Sequence, residues 1–168
     1  MLVNPHGQSN LMPLLVSEDS RVEELRRADS FIKVPLSTRE LSDLLMLAMG
    51  AYTPLKGFMG EEDWRGCCSD MITSNGIFWP IPITLSTSED ISSSIKIGDE
   101  VALVNDNLKI FGTLKVEQKY SIDKNYECLH VFRTADPAHP GVAKVLEQGK
   151  INLSGPVKVF DEDHYPKT

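Results

Sequence analysis

A chain of 168 residues, 41% hydrophobic and 24% charged, suffices for one ordinary domain burying roughly 70% of its unfolded surface and is too apolar for intrinsic disorder. A formal net charge of -7 and a pI near 5.1 set a field that repels phosphate backbones; lysines and arginines are interleaved with acids, so nucleic acid is not an expected partner. Cys67, Cys68 and Cys128 form no CxxC pair and His6, His130, His139 and His164 stand apart, which argues against zinc-finger or HExxH chemistry and for a reducing, cytoplasmic setting.

In chain order, residues 1–16 read as an extended arm, punctuated by Asn4-Pro5-His6-Gly7 and Met12-Pro13. The arm lacks the basic-then-apolar pattern of a leader, and about 18 apolar residues never run together, so neither secretion by that route nor a membrane span is expected. Ser20-Arg21-Val22-Glu23 spells a capping box and predicts a short helix to about Ser30. A second box, Ser37-Thr38-Arg39-Glu40, opens a stronger helix whose Leu41, Leu44, Leu45 and Ala48 recur at helical spacing, with Gly50 suited to a left-handed stop. Ala51 to Gly60 is a turn-rich connector, after which Glu61, Glu62 and Asp63 mark the start of a third helix that buries Trp64, Cys67, Cys68 and Met71.

Beyond Gly76 the period changes. Phe78 to Leu85 alternates around Pro80 and Pro82, which predicts an edge strand or one joining a sheet after Pro82. Ser86 to Ser94 reads as a polar loop. Val101–Val104 and Ile110–Val116 form a hairpin about Asn105-Asp106-Asn107, whose side chains tolerate positive φ. Leu129 to Phe132 predicts a further strand, Asp136 to Val142 a loop opening a short helix that stops at Gly149, and Ile151–Leu153 with Val157–Phe160 two brief strands. Helices first and short strands later, without βαβ alternation, define an α+β domain on a small, partly closed sheet.

Chemistry-bearing patterns are sparse. No P-loop, GxGxxG or GxSxG occurs; Gly57-Phe58-Met59-Gly60 lacks the lysine and hydroxyl of a phosphate loop. Glu61-Glu62-Asp63 fits helix-dipole stabilisation better than acid/base work. Cys67 and Cys68 have only Arg65 nearby to activate them, and His130 reads as a sheet-face histidine. Trp79 between two prolines suits packing better than stacking on a base or sugar. The best local candidate is the loop Asp136 to Gly141, with a carboxylate and an imidazole on a proline-fixed surface; the competing structural account, which we prefer, is that Asp136 caps a turn and His139 precedes a Pro140 at the first helical position.

Leu41-Ser42-Asp43-Leu44 followed by Gly50-Ala51-Tyr52-Thr53-Pro54-Leu55-Lys56-Gly57-Phe58-Met59 resembles the hallmark N-terminal stretch of the ATP sulfurylases (sulfate adenylyltransferases), G-[AG]-[FY]-[ST]-P-L-x-G-F-[ML] after a leucine-rich helix. Phe78 to Leu85, Ile97-Gly98-Asp99, and Asp136 with His139-Pro140-Gly141-Val142 continue the resemblance in order over nearly the whole chain. It implies a parent enzyme of sulfur metabolism, a nucleotidyltransferase that joins sulfate to ATP, with Mg2+, giving adenosine 5'-phosphosulfate and pyrophosphate. The family's catalytic Rossmann-like domain carries Q-[TV]-R-N-P-x-H-x-x-H and G-R-D-H-A signatures, and neither occurs here. No catalytic, cofactor-binding or metal-binding residue is therefore assigned to this chain.

What the resemblance implies for residues 1–168 is the family's single PUA-like N-terminal domain, a mixed pseudo-barrel of short strands with two or three flanking helices. It would be inactive alone, bind no cofactor, buttress the catalytic domain and contribute to subunit contacts in a homo-oligomer. Phe58, Met59, Asp136 and His139 are the expected interdomain contacts, on the premise that apolar residues in turn-rich segments are exposed. Two other classes compete: a stand-alone PUA-like module binding RNA or a small metabolite, and a small hydrolase or transferase using Asp136, His139 and a cysteine.

Overall fold

A computed structural model describes residues 3–160; His164, Lys167 and Thr168 lie outside the described residues. The arm is pinned along the last strand, Val16 N donating to Val159 O at 2.9 Å and Val159 N to Leu14 O at 3.0 Å. Helix α1 (Glu18–Ala28) starts a turn before the expected Ser20 box, with Ser17 as its N-cap and no side-chain cap bond. The glutamate that the box requires is drawn elsewhere, since both Glu23 oxygens accept from Arg26 at 2.9 and 3.0 Å. Strand β1 (Ile32–Pro35) follows.

Helix α2 (Thr38–Ala48) carries its box as predicted: Ser37 Oγ accepts from Glu40 N at 3.2 Å and Glu40 Oε2 from Ser37 N at 2.8 Å. Gly50 ends the helix region at φ +80, which a side chain would resist. Strand β2 (Gly57–Phe58) lies within the turn-rich connector, and helix α3 (Glu61–Asp70) buries Trp64, Cys67 and Cys68. Met71 is a correction: it takes the left-handed position closing α3, at φ 56, and is exposed rather than buried.

Residues 78–84 do not form the expected edge strand, because the two prolines withhold ladder donors; pairing begins only at β3 (Leu85–Thr87). The serine-rich stretch is not a loop but the end of β3 and a short helix α4 (Glu89–Ser93), capped by Ser88 Oγ accepting from Ile91 N at 3.2 Å. The hairpin β4 (Glu100–Val104) and β5 (Ile110–Lys115) stands as expected, though the positive φ of its turn falls on Leu108. Asn105 makes this tolerable, since its Oδ1 accepts from Asn107 N and Lys109 N at 3.0 Å each.

Strand β6 (Gln118–Ser121) and helix α5 (Lys124–Glu127) come next. The strand expected at Leu129–Phe132 is instead a π-helical turn over Cys128–Phe132 that continues α5, because Asp123 Oδ1 accepts from Tyr126 N at 3.0 Å and starts a helix there. A short apolar run carries no period that distinguishes the two. His130 is thus helical, with Nδ1 hydrogen-bonded to Tyr126 O at 2.8 Å. Helix α6 (Pro140–Glu147) precedes β7 (Ile151–Val159), one strand where two were expected, passing through Gly155 at φ 147.

The sheet runs β1-β4-β5-β7-β2, with β3 and β6 also pairing with β7. The first half of β7 lies between β3 and β6 and its second half between β2 and β5, so one strand organises an α+β fold flanked by six α-helices among the described residues, rather than two or three. Leu44 and Leu47 of α2 pack with Leu85, Leu103, Phe111, Leu114 and Leu153 into the principal core.

Candidate functional site

The hallmark segment 50–60 folds into one wall of an open cleft of about 510 Å³. Thr53 holds the bend, its Oγ1 donating to Gly50 O at 2.7 Å and accepting from Met12 N at 3.0 Å. Gly57 must lack a side chain, because a Cβ there would run into the Gly155 carbonyl across the β2–β7 pairing. Pro54, Ile77, Trp79 and Pro156 supply the apolar lining, and Glu62, Asp63 and Glu117 are its acids. Lys56 is the one cation among the described lining residues.

Phe58 and Met59 do not present their side chains to a neighbour. Each is only 3% exposed and belongs to the principal core. Met59 is held on three sides: Tyr120 Oη donates to its carbonyl at 2.7 Å, Ile83 N to its sulfur at 3.4 Å, and the Cys67 thiol to the same sulfur at 3.8 Å. The premise of exposure therefore fails for this pair. Composition misled because turn-rich backbone and buried side chains coexist when β2 pairs with β7.

Asp136 and His139 are exposed, and both cap backbone. Asp136 Oδ1 accepts from Ala138 N at 2.9 Å, and His139 Nδ1 accepts from Gly141 N at 3.1 Å as the N-cap of α6, ahead of Pro140. The His139 ring lies 5.0 Å from Phe132, which belongs to the small cluster of Cys128, Val142 and Val145 rather than to the cluster of Phe58 and Met59. The four expected contact residues thus do not make one site.

The cysteines are all free and buried. Burial, aided by the Asp63 carboxylate, pushes the Cys67 thiol up to about 12, and burial likewise raises Cys68 and Cys128, so none is a ready thiolate nucleophile. No group of His, Cys, Asp and Glu among the described residues is arranged to hold a metal ion, and no described helix is long and apolar enough to cross a membrane.

The features that organise the cleft escaped sequence reasoning. Gln118 Oε1 accepts from Glu61 N at 3.1 Å, capping α3 where Gly60 has no side chain to do so. Asp63 Oδ1 accepts from Ser74 N and Oγ, each at 2.7 Å, tying α3 to a hairpin over residues 71–79. On the other side Tyr52 donates to Asp43 Oδ1 at 3.0 Å and meets Trp79 edge-on at 5.7 Å. Only the spacing of Asp43 and Tyr52 within the hallmark segment hinted at this.

A pseudo-barrel organised on one long strand, with a glycine-pinned connector and no assembled catalytic group, is the architecture of a PUA-like domain. The PUA-like domain family model matches residues 3–162, and the chain belongs to that family. Within it, the chain is similar over its length to sulfate adenylyltransferases: it is 54% identical to that of Chlorobaculum tepidum over 167 residues, covering 98% of this chain and 41% of the relative. It is 51% identical to that of Syntrophobacter fumaroxidans, with the same shares. The chain thus spans about two fifths of the length of these relatives. Among solved structures, the hexameric APS kinase from Thiobacillus denitrificans superposes with a TM-score of 0.72 at 23% identity, over 98% of this chain and 28% of that one, a likeness of fold.

Proposed function

We propose that this chain is the N-terminal, PUA-like part of a cytoplasmic sulfate adenylyltransferase, and that it supports the portion of the enzyme that acts on ATP and sulfate without performing chemistry itself. The observation that carries this reading is identity above 50% across the whole chain to enzymes of which it spans only two fifths. The site chemistry agrees in kind: an acidic cleft with one lysine offers a nucleoside triphosphate repulsion rather than a grip, and the raised thiols offer no nucleophile.

The test is a hybrid in which this chain replaces the matched part of the Chlorobaculum tepidum relative. Sulfate-dependent pyrophosphate release from ATP is expected from the hybrid and not from the 168-residue chain alone. Turnover by the chain alone, or a folded hybrid without turnover, would refute the proposal.

A further inference from the structure

The 71–79 hairpin is an apolar knuckle that nothing in this chain covers. Ile72 and Phe78 are directly opposed antiparallel partners, so their side chains share a face; they are 41% and 58% exposed, and Met71 and Ile81 beside them are 39% and 51% exposed. The other exposed large apolar residues of the helices and turns, such as Val22, Leu108 and Leu146, are dispersed along the chain. Single exposed apolar residues are ordinary, whereas a contiguous group marks a contact surface.

The knuckle is also held in place. Trp79 N donates to Met71 O at 2.7 Å, Thr73 N to Ile77 O at 2.9 Å and Gly76 N to Thr73 O at 2.8 Å. Asp63 anchors Ser74 from α3, and the His6 ring bonds Phe78 O at 2.8 Å from the N-terminal arm. A surface fixed before association loses less entropy on binding than one that must order itself.

Charge indicates what the knuckle receives. The cleft at its side has Glu62, Asp63 and Glu117 against Lys56, and through Glu62, Glu117 and Gln118 it is continuous with a second depression that adds Glu61, Arg65 and Lys119. The whole chain carries -7. A portion of an enzyme that binds ATP and sulfate must carry cations, and such a face complements this one. We propose that the 71–79 hairpin and the carboxylate-edged cleft beside it seat a basic, apolar-centred face of the remaining three fifths of the parent enzyme; this rests on the function proposed above. The interdomain surface is then centred on Ile72 and Phe78, not on Phe58 and Met59.

The hybrid enzyme tests this through Ile72→Lys with Phe78→Lys, separately through Glu62→Lys with Glu117→Lys, and through Val22→Lys on α1 as a control. Thermal unfolding reads docking whether or not the hybrid turns over, so an inactive unsubstituted hybrid would count against the function and not against the docking surface. We expect both double variants to split one unfolding transition into two and to lower turnover about tenfold or more, as when positioning is lost; the control should behave as the unsubstituted hybrid. The same substitutions in the 168-residue chain alone should leave its melting nearly unchanged, which separates lost docking from misfolding. A single unchanged transition in both double variants would overturn the proposal. So would sedimentation showing that the isolated chain dimerises and that Phe78→Lys abolishes the dimer, since the knuckle would then be occupied by a second copy.

Discussion

Glu127 is a carboxylate placed where burial opposes its charge. It is buried against Trp64, whose Nε1 donates to Oε2 at 2.7 Å. Burial raises its pKa, and the Trp64 bond with the more distant Arg39 and Lys124 only partly offsets this; Asp43 is raised in the same way, with Tyr52 as the partial offset. A carboxyl whose folded pKa lies above its unfolded value binds its proton first in the folded state as pH falls from neutrality. Its stabilising contribution is complete below the unfolded pKa and is lost as pH rises through the folded one. Glu127→Gln keeps an acceptor for Trp64 and removes the charge, so it should raise the melting temperature at pH 7, with the gain shrinking to nothing near pH 4, about where an unperturbed glutamate protonates. Glu23 and Glu24 are shifted the other way, Glu23 by Arg26 and Glu24 by Lys158, but they are common to both proteins and cancel in the difference. Paired melting curves at the two pH values check the sign, and a gain that grew on acidification would contradict it.

At the scale of the element, two serines that look equivalent in sequence differ physically. Ser37 caps α2 while Glu40 spreads its two oxygens over Ser37 N and Oγ and over Ser86 N and Oγ, joining the helix to β3. Ser20 lies inside α1, and its hydroxyl only meets Ser17 Oγ at 3.1 Å. Ser37→Ala should cost about 1–2 kcal/mol and Ser20→Ala roughly 0.5 kcal/mol or less, a contrast that urea denaturation resolves. The same distinction explains what was legible beforehand. Helix α2 and the β4–β5 hairpin rest on bonds between near neighbours, so capping residues, leucine spacing and turn residues announced them. Strands β1 and β6 and the unbroken course of β7 depend on partners far along the chain, and Gly155-Pro156 looked like a break because nothing local says that β2 and β5 flank it. The cleft was half legible: the hallmark glycines were visible, while the Gln118 cap and the Asp63–Ser74 tie join residues whose proximity only the fold creates.

For the whole molecule, the consequence of β7 is unequal local stability. Four strands pair with it, and its flanks also bind non-strand backbone: Val157 N donates to Lys56 O and Val159 N to Leu14 O, both at 3.0 Å. Freeing either amide means separating the connector or the N-terminal arm from the central strand, with loss of the core packed around Leu153 and Leu114. The tip of the β4–β5 hairpin is held differently, by Leu108 N to Asn105 O at 2.9 Å and by the Asn105 side chain, with Leu108 exposed. Native-state hydrogen exchange in low urea should therefore show Val157 and Val159 exchanging only through global unfolding, with rates that rise steeply as urea is added. Leu108 should exchange orders of magnitude faster, through a local opening that urea scarcely affects. If Val157 and Val159 instead exchanged with the urea independence of Leu108, β7 would not be the strand on which the rest of the fold depends, and substitutions along it would act locally.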